Sequence, residues 1–320
     1  MKRSQIADIS FSGMAGAAAI LLLSAALNTQ AQYTYTTINV PGAADTWVYG
    51  VSGNYIVGSD FVIVSSSGNS ITGYSQSFLY DGSTYTTLSD PGAITYSTYA
   101  YGVSGNDIVG YYHSASGSTD QGFLYDGSTY TTLSVPGAVN TEAYGISGND
   151  VVGFYSTTSP FHQGFLYDGS SYTTLNVPGA LNTDANGISG NNIVGDYTIS
   201  GNQYGFLYNG ITYTTLSVPG ALKTQAFGIS GNDIVGTYFG AFDNSIVDQG
   251  FLYDGSSYTA LRVPGATQTW AYGISGNDIV GYYEDSQSDY HGFLAVPVPE
   301  PSVLALLAVG LTGLLFRRRN

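Results

Sequence analysis

AYGISGNDVVGFYSTTSPFHQGFLYDGSSYTTLNV, residues 143–177, contains four extended runs separated by turn-forming residues. The first, residues 143–147, turns at Gly148-Asn149 into the second, residues 150–155. A glycine at the first central position of a two-residue loop predicts a type II′ turn, whose twist matches an antiparallel hairpin. The third run, residues 164–167, turns at Asp168-Gly169-Ser170 into the fourth, residues 172–177. β-Branched and aromatic residues fill the runs and Gly, Asn, Asp and Pro fill the gaps, as four short antiparallel strands require. No stretch between residues 33 and 296 carries a helical period.

The same unit recurs six times. Ser-Gly-Asn places its glycine at Gly53, Gly105, Gly148, Gly190, Gly231 and Gly276, and a Phe-Leu pair starts at Phe78, Phe123, Phe165, Phe206, Phe251 and Phe293. Pro-Gly-Ala begins at Pro41, Pro91, Pro136, Pro178, Pro219 and Pro264. Four strands in about 45 residues match the blade of a β-propeller, with an open solenoid as the competitor. The ends of the repeat region decide. It begins with an orphan fourth strand, residues 35–40, and finishes with an orphan third strand, residues 292–296, which lacks the Asp-Gly turn. In a closed ring the N-terminal strand completes the last blade and hides both edges. The sequence therefore predicts an all-β fold, a six-bladed β-propeller over residues 33–296.

A prior of roughly 150 residues per domain would divide 320 residues into two domains; the repeats gather the middle into one. Glycine (43) and proline (10) stay below the 25–30% typical of low-complexity chains, so the chain has a core. Charged residues make up only 9%, and tyrosine numbers 29. The polar surface is therefore built from Ser, Thr, Asn, Tyr and Gly. Between residues 33 and 296 the bases are Lys223 and Arg262 against twenty acids, a net −18, compared with −15 for the whole chain. That field disfavours nucleic acid as a partner. Cysteine is absent, which excludes disulfides, thiolate nucleophiles and Cys-based zinc sites.

Both ends carry address signals. Lys2 and Arg3 precede the apolar run 14–27 and the small residues Thr29 and Ala31, the layout of a secretory signal peptide over residues 1–31 cleaved after Ala31 by signal peptidase. Near the other end, Val298-Pro299-Glu300-Pro301 leads into fifteen uncharged residues, 302–316, and then Arg317-Arg318-Arg319. A helix over 302–316 would be about 22 Å long and would need snorkelling arginines to span the inner membrane. The arginines belong on the cytoplasmic side, which puts everything before them outside the cytoplasm.

This tail, residues 297–320, resembles the PEP-CTERM sorting signal. The resemblance implies a Gram-negative-type envelope, recognition by an exosortase, cleavage near Pro299-Glu300-Pro301, and release or attachment at the outer surface or in the extracellular matrix. It also implies association with exopolysaccharide. The repeats resemble the HAF-type repeats of bacterial surface proteins, although His291 alone keeps the name-giving histidine; Gln121, Gln163, Tyr204 and Gln249 stand at that position in other units.

Identical turns are structural, and Asp126-Gly127, Asp168-Gly169 and Asp254-Gly255 are read as hairpin turns rather than calcium ligands; no cofactor or metal is expected. Function is sought where equivalent positions differ. Loops at 59–74, 113–120, 156–162, 198–203, 240–248 and 284–290 are expected on one face, and His113 and His162 within them. On that face, just after a recurring threonine, the units place Trp47, Tyr99, Glu142, Asp184, Gln225 and Trp270. In a closed ring, Trp270, Trp47 and Tyr99 come from adjacent blades and Glu142 and Asp184 stand opposite. An aromatic arc facing carboxylates suits a carbohydrate, whose C–H faces stack on rings while its hydroxyls bond polar groups. The expectation is a non-enzymatic surface or matrix protein, either structural or polysaccharide-binding. The alternative is a glycoside hydrolase or lyase using Glu142 and Asp184 as an acid/base pair.

Overall fold

The structure, a computed structural model, describes residues 33–298 apart from 68–69, 116, 118, 159–160 and 243–244. The expected signal peptide with Ala31, the apolar segment 302–316, and Pro299, Glu300, Pro301, Arg317, Arg318 and Arg319 lie outside the described residues; Val298 lies just inside them. Among the described residues, no helix is long and apolar enough to cross a membrane.

Twenty-four strands form six four-stranded sheets among the described residues. Strand β1 (Tyr33–Ile38) comes first, and blade 1 then comprises β2 (Asp45–Ser52), β3 (Tyr55–Ser67), β4 (Ser70–Tyr80) and β5 (Tyr85–Leu88). Blade 2 is β6 (Ala93–Ser104), β7 (Asp107–Ser114), β8 (Asp120–Tyr125) and β9 (Tyr130–Leu133). Blade 3 is β10 (Asn140–Ser147), β11 (Asp150–Ser156), β12 (His162–Tyr167) and β13 (Tyr172–Leu175). Blade 4 is β14 (Asn182–Ser189), β15 (Asn192–Ile199), β16 (Asn202–Tyr208) and β17 (Tyr213–Leu216). Blade 5 is β18 (Lys223–Ser230), β19 (Asp233–Phe242), β20 (Ser245–Tyr253) and β21 (Tyr258–Leu261). Blade 6 joins β22 (Gln268–Ser275), β23 (Asp278–Glu284) and β24 (Tyr290–Pro297) to β1, in the order β1-β24-β23-β22. The N-terminal strand thus closes the ring as its sequence predicts.

Each inner hairpin turns through two residues. At Gly148 φ is 60°, and Asn149 is outside the positive-φ set, which is the type II′ pattern expected of Gly-Asn. The outer hairpins turn at an Asx motif: the Asp168 carboxylate accepts the backbone N–H groups of Ser170 and Ser171 at 2.8 and 2.7 Å. These bonds hold the Asp168 carboxyl well below the usual carboxylate range, the Ser170 hydroxyl contributing most. Two of the expected loops are instead strands. The hairpins β3–β4 and β19–β20 extend the pairing outward through segments such as Phe61-Val62-Ile63-Val64, whose β-branched residues continue the ladder.

The core lies between blades. Phe165 is fully buried, paired opposite Gly153, and its ring occupies the space a Cβ at Gly153 would need. It packs with Ala143, Ile146 and Val151 of its own blade and Val109, Leu133 and Val135 of blade 2. Burying one such phenylalanine contributes about 1.5–3 kcal/mol, and Phe78, Phe123, Phe206, Phe251 and Phe293 repeat the arrangement at 2% exposure or less. The seam is packed in the same way: Ile38 of β1 and Val280 of blade 6 join Val48, Val51 and Phe78 of blade 1.

Three sets of contacts run around the ring without a break. The Ser-Gly-Asn serine of one blade accepts the turn-glycine N–H of the next, from Ser52 to Gly105 at 3.1 Å through to Ser275 and Gly53 at 3.4 Å across the seam. The recurring threonine is buried, and its Oγ1 accepts a backbone N–H near the end of the preceding fourth strand, as with Thr141 and Val135 at 3.1 Å; Thr46 and Val40 repeat this beside β1. Innermost are glycines Gly50, Gly102, Gly145, Gly187, Gly228 and Gly273, each facing the next blade's backbone. A Cβ at Gly145 would lie 2.8 Å from Asn186 O and 2.9 Å from Gly187 Cα; at Gly273 it would lie 2.8 Å from Tyr49 O. Side chains are excluded there by backbone, which cannot rotate away. Gly145→Ala is expected to lower the free energy of unfolding by about 1–3 kcal/mol, the usual cost of overpacking. Chemical denaturation measures it, and a variant as stable as the parent would remove the close approach as a constraint.

Candidate functional site

Just before each ring glycine the inner strand carries a β-bulge, so that the intervening residue has no partner on the second strand. The bulged residues are Tyr49, Tyr101, Tyr144, Asn186, Phe227 and Tyr272. The aromatic ones contact one another around the channel: Tyr49–Tyr101 at 4.7 Å and Tyr101–Tyr144 at 4.5 Å between centroids, both tilted, Tyr49–Tyr272 edge-to-face at 5.3 Å, and Phe227–Tyr272 stacked at 4.3 Å. Burial pushes the Tyr49 hydroxyl up to about 12 and holds those of Tyr101, Tyr144 and Tyr272 well above the ordinary tyrosine range. Asn186 breaks the aromatic series at blade 4.

Two residues earlier on each inner strand stand the six positions singled out in the sequence, paired across to the second strand. Trp47 faces Ser59, Tyr99 faces Tyr111, Glu142 faces Phe154, Asp184 faces Asp196, Gln225 faces Thr237 and Trp270 faces Tyr282. Trp270 stacks on Tyr282 at 4.9 Å, Trp47 and Trp270 flank Tyr290 at 5.7 and 6.1 Å, and Tyr99 stacks on Tyr111 at 5.0 Å.

Blade 4 differs from the others. Every other blade supplies at least one aromatic residue at these three registers; blade 4 supplies Asp184, Asn186 and Asp196. Asp196 is 3% exposed. It accepts hydrogen bonds from Gln203 Nε2 at 2.6 Å and Asn186 Nδ2 at 3.0 Å, and from the Gln225 side chain. Burial, with the Asp184 carboxylate beside it, nevertheless holds its carboxyl well above the ordinary range. Glu142 is likewise pushed up to about 7, chiefly by burial, although it accepts the Tyr144 hydroxyl at 2.9 Å.

A cavity of 330 Å³ opens among these groups. Of the six candidates, Asp184, Gln225 and Trp270 line it; Trp47, Tyr99 and Glu142 do not. Its aromatic wall is the bulge series with Phe154, and its polar side adds Asn186, Asp196 and Asp248. The bulge series and Asp196 were missed in the sequence, although comparing the residue before each Gly-Ile-Ser or Gly-Val-Ser would have exposed Asn186 as the odd member. An adjoining cavity of 250 Å³ shares Gln225 and Asp248 and adds Gln203, Lys223, Thr237 and Phe239.

The histidines sit on strands rather than in loops. His113, on β7, bonds Asp120. His162, the first residue of β12, stacks on Phe154 at 4.5 Å with its Nδ1 3.3 Å from Asp184, whose proximity raises the histidine's pKa. His291 bridges the seam to Asn39 at 3.1 Å.

The PEP-CTERM protein-sorting motif is matched over residues 297–319. It implies an exported protein anchored transiently at the membrane before processing by exosortase. No curated protein matches the sequence. Similar solved structures include the β-propeller domain of the Trilobed protease from Pyrococcus furiosus, 8% identical over 81% of this chain and 99% of that one, TM-score 0.47. Aleuria aurantia lectin in complex with a fucosylated sugar is 12% identical over 83% of this chain and 100% of that one, TM-score 0.47. Trypanosoma rangeli sialidase is 8% identical over 89% of this chain and 62% of that one, TM-score 0.46.

The raised carboxyls fix the sign of the pH dependence. A carboxyl protonated in the fold but ionised in the unfolded chain stabilises fully below its unfolded pKa, and that stability is lost as pH rises through the folded value. For Glu142 the window runs from 4.5 to about 7, and Asp196 acts in the same direction. Thermal melts should therefore show Tm falling between pH 5 and 8, and Asp196→Asn should flatten that slope. An unchanged slope in the variant would mean that Asp196 ionises normally in the fold.

Proposed function

We propose that the protein is an exported, non-enzymatic component of a bacterial cell surface or matrix that binds a segment of surface polysaccharide at its channel mouth. The observation that carries this reading is the 330 Å³ cavity, walled by aromatic side chains and faced by polar side chains of blades 4 and 5. That volume is at the low end for ligand sites and suits one or two sugar rings. Trp270 and the stacked tyrosines offer apolar surface to sugar C–H faces, while Asn186, Gln225 and the aspartates accept or donate to hydroxyls. The sorting motif at 297–319 brings the domain to the compartment where such polymers are found. The repeats' likeness to HAF-type units fits a surface protein, and the net charge of −18 between residues 33 and 296 disfavours anionic polymers as ligands.

One observation favours hydrolysis as a second reading. Glu142, at about 7, is poised for general acid work at neutral pH, and Asp184 stands at the same register of the next blade. Sustained release of sugar products by the purified protein, lost in Glu142→Gln, would establish an enzyme and replace the binding reading.

Trp270→Ala is expected to weaken binding of purified surface polysaccharide about tenfold, ~1.4 kcal/mol, and adding Trp47→Ala should weaken it further by removing both rings that flank Tyr290. Titration calorimetry measures the change. Undiminished affinity in the double variant would place the binding site elsewhere or nowhere.

A further inference from the structure

The outer hairpins of blades 1 to 5 close through one kind of turn, and blade 4 departs from it at one position. Asp81, Asp126, Asp168 and Asp254 open the turn in the other four blades, and Asn209 opens it in blade 4. A glycine follows in each, with φ between 88° at Gly210 and 95° at Gly82. Asn209 Oδ1 accepts the backbone N–H groups of Ile211 at 3.0 Å and Thr212 at 2.8 Å, the Asx geometry of the aspartate turns. In those turns the second carboxylate oxygen also accepts the hydroxyl three residues on, at 2.8 to 3.0 Å. Asn209 has an amide nitrogen in that place, which cannot accept. The Thr212 hydroxyl reaches Oδ1 instead, at 3.3 Å. Blade 4 thus builds the surroundings of a carboxylate around an amide.

We propose that Asn209-Gly210 is a site of spontaneous deamidation, which converts the outer turn of blade 4 to the aspartate form in the exported protein. Gly210 has no side chain to shield its nitrogen, both residues are exposed, and the Gly210 N–H donates to no group among the described residues. Water takes the Gly210 N–H proton as that nitrogen bonds to Asn209 Cγ. Negative charge gathers on Oδ1, at which the Ile211 and Thr212 N–H groups already point. The Cγ–Nδ2 bond breaks, ammonia leaves with a proton, and a cyclic imide remains. A second water adds to Cγ, the Cγ–N bond breaks, Gly210 regains its N–H, and the acid ionises to a carboxylate and a proton. The new oxygen accepts the Thr212 hydroxyl in a charge-assisted bond. Opening of the imide at its other carbonyl gives isoaspartate, which adds a carbon to the main chain of a turn held by fixed hydrogen bonds. The chain's other Asn-Gly pair, Asn186-Gly187, is protected. Asn186 Nδ2 donates to Asp196 and to Ala226 O, both at 3.0 Å, and Gly187 is buried against the backbone of blade 5. The Asn209 turn lies at the end of its hairpin opposite the channel mouth, so its conversion is independent of binding there.

The test is peptide mapping by mass spectrometry of the purified exported protein, held at physiological temperature and mildly alkaline pH, with the same protein in denaturant as reference. Both Asn-Gly pairs are expected to deamidate in denaturant. In the fold, Asn209 is expected to convert about tenfold or more faster than Asn186, because only its attacking nitrogen is free to approach. The rate should rise with pH as the Gly210 nitrogen loses its proton more readily. Aspartate should exceed isoaspartate at Asn209 in the fold, the reverse of the denatured sample. The Asn209→Asp variant, which starts with the carboxylate, should melt above the parent, and the aged parent should approach it. Retention of the Asn209 amide in the fold while the denatured chain loses it would show that the turn shields its own asparagine and would overturn the proposal. Isoaspartate in excess at Asn209, or a variant no more stable than the parent, would overturn it equally, since the turn would then not favour the aspartate form.

Discussion

The innermost backbones of the six blades touch, and the rest of the molecule is arranged around that contact. Six glycines occupy the ring because each faces the next blade's carbonyl and Cα at distances that admit no side chain. So tight a centre needs every blade at the same radius and tilt, which the serine-to-turn and threonine-to-strand bonds between neighbours enforce. It also produces the bulge. With the glycine pressed inward, the preceding residue leaves the ladder and lines the channel. The scaffold therefore presents, at no cost to its own geometry, one freely variable position per blade directly over the axis.

That freedom has been used unevenly. Aromatic side chains fill the bulge register in five blades, where stacking among neighbours recovers the hydrophobic and edge interactions of a core. At blade 4 the fill is replaced by an amide and two carboxyls. Burying Asp196 opposite Asp184 is unfavourable for the isolated fold, since desolvation and then the neighbouring Asp184 raise the cost of ionising Asp196. A repeat that could have kept tyrosine there, as its neighbours do, carries groups that cost stability. Such departures from a local rule concentrate at functional sites.

Much of this architecture was legible in residues. Gly148-Asn149 announced its turn, the Phe-Leu pairs announced the strand that covers Gly153 and its equivalents, and the orphan strands at 35–40 and 292–296 announced the closure, because these signals are local or simply repeated. The mouth register was legible as a column of unlike residues. What escaped depended on pairing. Tyr144 shares a face with Glu142 by simple alternation, but that it stands unpaired at a bulge is visible only once the register is known. Asp196 reads as an ordinary strand residue until it is set opposite Asp184. The outer parts of hairpins β3–β4 and β19–β20 read as loops because they interrupt the repeat, although Phe61 to Val64 are strong strand formers.

Completion of blade 6 by β1 has a mechanical consequence. Strand β24 is flanked on one side by β23 and on the other by β1, so a pull on the chain beyond Val296 must shear two hydrogen-bonded ladders at once instead of peeling a free edge. The load passes from there to the Ile38, Val48 and Phe78 contact with blade 1 and around the ring. A tether at this end of the repeats therefore draws on a strand that resists tension more than a sheet edge would, the property wanted in a domain that stays folded while held by one end.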